Sequence, residues 1–555
     1  MPHPLYDKHR ETLDRAVRAI GERTHWSPFP ESPSGRVYGE TAAAEGEQAF
    51  RAYLGERFPL DQPGTDGWVG DERSPYGIEL GVTYPHPDVD TLLVEMAAGM
   101  KEWRDAGPDT RAAVCVEILH RLNARSFELA HAVMHTTGQA FVMAFQAGGT
   151  HAQDRGLEAV AYAYAEMTRT PAEVVWEKPQ GKHDPLRMTK RFHVVPRGIA
   201  LLVGCNTFPT WNGFPALFAS LATGNPVMVK PHPRAVLPLA ITVAVAREVL
   251  AEAGFSADLV TLAAERDGEG LASTLATRPE VRIVDFTGST AYGEWLEQHA
   301  RQALVYTEKA GVNTVVVDST DDFKGLCRNL AFSLSLYSGQ MCTTPQNILV
   351  PRDGIDTDQG HLSFDDVAQG IAQGVDKLLG DEARAVGVLG AIVNDGVLQR
   401  LDKVRGIGRQ VLASRTVTHP EFAGATVRTP HLVGVDAGEG AINEEWFGPI
   451  AFVIATDDTA QSVELFRDTT RDRGAITASV YSTDENVLAD VEEAALQGGV
   501  ALSCNLTGGV FVNQSSAYSD FHATGANPAA NASLTDGAFV AGRFRVVQSR
   551  RHLTS

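Results

Sequence analysis

The chain has 555 residues, 43% of them hydrophobic, and a formal net charge of −21. That length exceeds what one hydrophobic core sustains, so two or three structural units are expected, and the acidic balance argues against a protein that tracks nucleic-acid phosphates. Five widely spaced cysteines with no CxxC pair argue against a disulfide framework or a zinc ribbon and fit a reducing cytoplasm, and no run reaches the roughly eighteen apolar residues of a membrane span.

Residues 1–87 read as an extension: a helical stretch near Glu11–Ile20, then a Gly/Pro-rich passage from Gly55 through Pro87, with no chemistry attached. From Asp88 amphipathic helices follow, with Leu92, Met96, Met100 and Trp103 on one face, then Val114, Ile118 and Leu122 after the break at Pro108-Asp109. Arg187–Val195 alternates polar and apolar residues, as an edge strand does. Strands and helices then take turns. Strands at Ile199–Val203, Val227–Val229, Leu259–Leu262 and Val281–Phe286 are interleaved with helices at Gly213–Ala222 and Leu237–Ala253. This rhythm predicts a parallel sheet covered on both faces, with ligands beyond the carboxyl ends of its strands. A second alternation runs from Thr314–Val317 through a helix ending near Leu336, Ile348–Val350, a helix around Val367–Leu379, and strands near Phe452 and Ser479. The closing stretch Gly542–Gln548 is strand-like and suited to pair with the strand near Arg191.

Gly339-Gln340-Met341-Cys342-Thr343 presents a thiol after a Gly-Gln approach that leaves it uncrowded, and a thiolate attacks a carbonyl carbon directly. Alone, the same cysteine also reads as a small core hydrophobe. Glu308, in an apolar-flanked run upstream, supplies a general base whose pKa apolar surroundings would raise toward the working pH. The string from Phe286 to Gly293 follows a strand and opens a helix, so N-terminal N–H groups can take a pyrophosphate; an ordinary capped turn has the same composition. The GxGxxG fingerprint is absent, since Gly268-Glu269-Gly270 lacks its third glycine. Lys230 ends a strand where an adenosine ribose or its phosphate would lie, and Asn206 offers an amide to an oxyanion or serves only its turn. Trp211, Phe214 and Tyr337 are candidate walls of a substrate tunnel or parts of the core. The seventeen histidines are scattered without a local signature beside Cys342, which argues against a cysteine hydrolase.

In order along the chain, Asn206 with Phe208-Pro209, Lys230-Pro231, Phe286 to Thr290 with Gly293, Glu308, Gly339 to Thr343, and Glu445-Trp446-Phe447-Gly448-Pro449 resemble the aldehyde dehydrogenase superfamily over residues 88–555. The resemblance implies an α/β fold with two doubly wound parallel-sheet domains and a small β oligomerisation arm. It implies an N-terminal extension at 1–87, a cofactor-binding domain at 88–310 with 182–197 contributing to the arm, a catalytic domain at 311–505 and a C-terminal oligomerisation segment at 506–555. It further implies Cys342 as nucleophile, Glu308 as general base and Asn206 as oxyanion donor. Lys230, Gly288, Ser289, Gly293, Glu445 and Phe447 would hold NADP or NAD, with no metal. The partners implied are a small-molecule aldehyde and further copies of the chain, as a homodimer or homotetramer, with no nucleic acid or membrane.

Three departures from the family stand out. Glu308-Lys309-Ala310-Gly311 replaces the usual glutamate-leucine-glycine-glycine, which puts nicotinamide-side packing in question. Pro233 stands where NAD-preferring members carry a glutamate, so with Lys230, His232 and Arg234 as positive partners NADP is expected to be accepted or preferred. The family's Gly-rich C-terminal loop is not recognisable around Gly508 to Gly525. Length, N-terminal region and the stretch Asn513 to His522 resemble members acting in phenylacetate degradation, which implies a CoA-linked semialdehyde from aromatic ring cleavage. The alternatives are a CoA-acylating enzyme of the same fold and a non-catalytic protein that retains it.

Overall fold

The computed structural model describes residues 3–553; residues 1–2 and 554–555, the outermost of the first and last expected segments, lie outside it. Five short strands lie side by side, all parallel, in the order Val260–Leu262, Val227–Lys230, Ile199–Val203, Val281–Thr287 and Leu304–Glu308. The central three are buried almost throughout, as strands covered on both faces must be. One face packs on Pro209–Ala222 and Leu237–Glu252 through Phe214, Leu217, Leu237 and Ile241. The other packs on Val89–Asp105, Leu271–Ala276 and Thr290–His299 through Leu92, Met96, Leu275 and Leu296. Strand order reverses at Ile199–Val203, and a crevice at such a point is where open α/β sheets bind ligands.

The second sheet has seven strands, ordered Arg409–Leu412, His431–Asp436, Ile450–Thr456, Asn347–Pro351, Thr314–Val317, Thr477–Tyr481 and Ala501–Cys504. Only the first is antiparallel to its neighbour. Alternation decides which core each residue joins: Val316, Leu349 and Phe452 face one side, Val315, Val317, Ile348 and Val350 the other.

The last strand, Phe544–His552, pairs antiparallel with His183–Pro196, setting Ser549 opposite Arg191, and Glu173–Gln180 completes this three-stranded sheet. Its root is fixed by Arg543, fully buried, whose guanidinium makes two bonds to Asp285 at 2.8 and 2.6 Å and one to Ser220 Oγ at 2.7 Å. Removing one partner of such a pair costs about 3–5 kcal/mol because the other charge stays buried and unpaired.

The first 87 residues depart most from expectation. The Gly/Pro-rich passage holds a hairpin, Thr65–Val69 with Tyr84–Pro87, and the preceding residues form helices at Pro4–Glu22 and Ala42–Arg51. Leu13, Phe29, Phe50, Phe58 and Tyr84 belong to the same core as Phe214 and Leu237. Gln62 donates to Leu262 O at 2.8 Å and accepts from Leu262 N at 2.9 Å, closing an otherwise free sheet edge. Glycine and proline here punctuate short elements rather than marking their absence. Among the described residues no helix is long and apolar enough to cross a membrane.

Candidate active site

Cys342 sits on the loop between the short turn Leu336–Gly339 and the strand Asn347–Pro351. Tyr337, Ser338 and Gly339 all have positive φ, so the chain doubles back sharply before the thiol. Only glycine suits position 339, because a Cβ there would collide with Gly448 O. Buried Gln340 donates to Ala391 O at 3.0 Å and accepts from Val393 N at 2.9 Å. Gly339 and Gln340 therefore clamp the loop from behind, rather than clearing the front of the sulfur as the sequence suggested. Asn313 holds it from below: its Nδ2 donates to Cys342 O at 2.8 Å and Thr344 O at 2.9 Å, and its Oδ1 accepts from Ile476 N and Thr477 N.

Glu308 ends the edge strand Leu304–Glu308, where its main chain bridges to Ala530. Its carboxylate reaches Cys342 together with two side chains that sequence reasoning did not bring there. Asn212 Nδ2 donates to Glu308 Oε2 at 3.1 Å, and His522 Nε2 lies 3.2 Å from Glu308 Oε1 and 3.8 Å from Cys342 Sγ. The His522 ring is set by main-chain bonds to and from Leu534, at 2.9 and 2.8 Å, and by the edge of Trp211, 4.7 Å away between ring centroids. Burial opposes the charge on Glu308, but His522 and hydrogen bonds from Cys342 and Asn212 outweigh it and hold the carboxyl below its usual range. The expected upward shift is therefore reversed: the apolar flank is real, but polar groups converge on the carboxylate. Burial and the neighbouring Glu308 charge push the Cys342 thiol well up. The resting site is thus a carboxylate base beside a protonated thiol, with an imidazole nitrogen in reach of both.

Cys342 and His522 border a cavity of about 610 Å³. Phe29, Phe208, Trp211, Phe332 and Phe511 line it. Phe29 comes from the first 87 residues, which thereby acquire a place at the site. Of the three expected tunnel residues only Trp211 lines this cavity. Phe214 is a core residue, and Tyr337 is fully buried with its hydroxyl on Thr137 O. Asn206 does not line the cavity either, and its Oδ1 is buried without a hydrogen-bond partner.

Gly288 and Ser289 lie exposed at the N-terminus of the helix Thr290–His299, open to an anion. Gly293 is needed for another reason: a Cβ there would strike the aliphatic stem of Lys309 at 2.7 Å. Lys309 points away from Glu308, as strand neighbours do, and pairs with Glu297 at 3.1 Å, so the charge stays out of the catalytic side. Glu445 and Phe447 share a small void with Met341, which also lines the aromatic cavity. Burial pushes Glu445 up to about 7, against the Gly311 N–H and the Arg400 charge.

The cations expected to welcome a 2′-phosphate are all engaged. Buried Lys230 pairs with buried Glu265, whose Oε2 also accepts from Leu271 N at 2.7 Å. Burial, with Lys230 and Arg234 nearby, lowers His232 to about 4, so it is neutral at pH 7. Arg234 pairs with Asp267 at 2.8 Å. Both carboxylates come from the loop after the neighbouring strand Val260–Leu262, out of reach of a reading confined to residues 230–234.

The aldehyde dehydrogenase family matches residues 83–516. The 1-pyrroline-5-carboxylate dehydrogenase of Anoxybacillus flavithermus is 22% identical over 84% of this chain and 89% of its own. Benzaldehyde dehydrogenase (NAD+) of Pseudomonas putida is 24% identical over 68% of this chain and 73% of its own. A crystal structure of an NAD-dependent aldehyde dehydrogenase from Burkholderia multivorans is 60% identical, covers all of both chains and superposes with a TM-score of 0.99. A family match over most of the length, on a fold that sets Cys342 against Glu308, means that the chain belongs to the aldehyde dehydrogenase family and is an NAD(P)-dependent oxidoreductase acting on aldehydes.

Proposed function

We propose that the protein oxidises a bulky, mainly apolar aldehyde to its carboxylic acid, with NAD preferred over NADP and with a thiohemiacetal and then a thioester on Cys342. The observation that carries this reading is the meeting of Cys342 and Glu308 beside an aromatic-walled cavity. Sγ adds to the aldehyde carbon as its proton passes to Glu308 or His522, both in contact with it. The Cys342 N–H and the Asn206 Nδ2 are the proposed donors to the oxyanion. The bound nicotinamide supplies the hydride acceptor. Gly288, Ser289 and Gly293 would hold its pyrophosphate, and Glu445 and Phe447 its ribose and ring. Once any thiol proton it took has passed to solvent, the ionised Glu308 takes a proton from the water that releases the acid from Cys342. If Asn206 donates to the oxyanion, Asn206→Ala lowers kcat/KM about 10²–10³-fold with KM for NAD unchanged. A full rate in Asn206→Ala and a matching loss in Asn212→Ala would transfer the role to Asn212.

The preference for NAD is supported by the Glu265 carboxylate at the expected ribose edge and by a 60% identical relative described as NAD-dependent. Glu265→Gln keeps a hydrogen-bonding partner for Lys230 while removing the negative charge. The ratio of kcat/KM for NADP to that for NAD is expected to rise at least about tenfold in this variant, which is about 1.4 kcal/mol. An unchanged ratio in steady-state kinetics contradicts the assignment.

The narrower expectation is a CoA-linked semialdehyde of phenylacetate breakdown, as for the protein PaaN. Its phosphates need cations, and two of those around the cavity are taken, His151 pairing with Glu31 at 2.9 Å and Arg155 with Glu158 at 2.8 Å, with His25 also in the lining. Asp154 and Asp520 add acidic groups to the lining. We therefore propose that only the semialdehyde arm enters, and that CoA contributes less than about tenfold to kcat/KM. A panel pairing free and CoA-linked forms of one semialdehyde decides this, and a gain of a hundredfold would restore the PaaN-type substrate. The ionised Glu308 also supports hydrolysis over transfer to CoA, so carboxylate is expected at full rate without CoA. A reducing cytoplasm is supported by five unpaired cysteines, and a homodimer or homotetramer by exposed Val175, Leu186, Val546 and Val547 on the three-stranded sheet.

A further inference from the structure

We propose that Cys342 Sγ, His522 Nε2 and Glu308 Oε1 form a three-ligand site for a thiophilic divalent cation, zinc in particular, which holds the enzyme in a reversibly blocked state. The three donor atoms all lie within 4.8 Å of one another. Tetrahedral zinc, with Zn–S of about 2.3 Å and Zn–N and Zn–O of about 2.0–2.2 Å, separates S from N by about 3.6 Å and N from O by about 3.3 Å. The observed S···N and N···O separations, 3.8 and 3.2 Å, match these two edges to within a few tenths of an ångström, and the sulfur and Oε1 lie within 4.8 Å of each other. A thiolate, an imidazole and one carboxylate suit zinc and not the hard, oxygen-seeking magnesium or calcium.

The ligands are held before any ion arrives. Asn313 pins the cysteine main chain, the Leu534 bridge and Trp211 fix the imidazole, and Asn212 occupies Glu308 Oε2 and leaves Oε1 free to coordinate. Outer contacts of this kind orient metal ligands, and losing one typically costs about 10–100-fold in affinity. Cys342 and His522 both face the cavity, so water can reach a fourth position. On coordination the thiol proton leaves to the buffer, the Nε2 proton shared with Glu308 Oε1 leaves or moves to Nδ1, and the sulfur lone pair and a Glu308 oxygen are both engaged. Nucleophile and base are then blocked together, and a chelator frees both.

The site does not depend on the aldehyde or on the preference for NAD, and the test uses neither. Metal-free full-length protein is titrated with Co2+, followed by displacement with Zn2+. The expected result is one Co2+ per chain, with a thiolate-to-cobalt charge-transfer band and the intense visible bands of a tetrahedral ion. Cys342→Ala is expected to lose the charge-transfer band, and His522→Ala to weaken binding at least about tenfold. Glu308→Gln is expected to weaken binding as well and serves as a second variant if His522→Ala does not fold. Zn2+ should slow alkylation of Cys342 by iodoacetamide with the same half-saturation, and a chelator should restore it. No charge-transfer band in the native protein, equal affinity in His522→Ala and Glu308→Gln, or unchanged alkylation at saturating Zn2+ would each overturn the proposal.

Discussion

Replacement of Cys342 by alanine is expected to abolish aldehyde-dependent reduction of the nicotinamide cofactor while leaving the fold and cofactor binding in place. The loop is held by groups other than the thiol: Asn313 bonds the carbonyl of residue 342, Gln340 and Ser338 anchor the turn, and Thr343 Oγ1 donates to Asn513 O at 2.9 Å. Removing the sulfur therefore removes the nucleophile and little else. Without a covalent stage the hydride must leave a poorly activated hydrated aldehyde, and a loss of at least about 10⁴-fold in kcat, above 5 kcal/mol, is expected. Initial rates measured beside the binding of NAD separate the two effects. Retention of more than a few per cent of the native rate would contradict a role for Cys342 in covalent catalysis.

The second large effect is expected from Glu308→Gln. The substitution preserves shape and an acceptor for Asn212 Nδ2, but glutamine cannot take a proton from water. Steady-state turnover is expected to fall about 10²–10⁴-fold, the usual contribution of a positioned general base. A rapid first phase should nevertheless reduce about one equivalent of cofactor per chain, because thioester formation precedes the blocked step. His522, 3.8 Å from Sγ, remains available for the thiol proton in that first phase. Slow turnover without the rapid phase would move Glu308 from hydrolysis to thiol activation.

The parts of this architecture that were legible in the sequence are those written locally. The strands Thr314–Val317 and Val281–Thr287 are continuous apolar runs of strand length, which only burial on both faces explains, and their alternation with helices leaves few topologies. Cys342 and Glu308 were visible because each lies in a short distinctive string. His522 was not, for physical reasons. It lies 180 residues beyond Cys342 and reaches it from a stretch with little regular structure, ordered by isolated bridges such as that to Leu534. The signal was negative: the family's Gly-rich C-terminal loop is not recognisable around Gly508 to Gly525, and His522 reaches the thiol from within that stretch.

Glu265 escaped for a different reason. Neighbouring strands in a parallel sheet bring their carboxyl ends together, so the group that neutralises Lys230 comes from the next strand's loop and not from the missing glutamate position at Pro233. Asn206 and Asn212 are separated by a bend into the helix Pro209–Ala222, and the helix decides which amide reaches Glu308. The Gly55 to Pro87 passage read as lacking regular elements because it is rich in glycine and proline. The apolar positions that bury it, Phe58, Leu60, Val69, Leu80, Val82 and Tyr84, are spread over elements too short to show a period.

Acylation of Cys342 is the central event of the proposed reaction, and intact-mass spectrometry of the Glu308→Gln variant tests it most directly. After incubation with NAD and an aromatic aldehyde, the chain should gain the mass of one acyl group, located by digestion to the peptide containing Cys342 and absent when NAD is omitted. An unmodified chain after the cofactor has been reduced, or an acyl group on any cysteine other than Cys342, would contradict it.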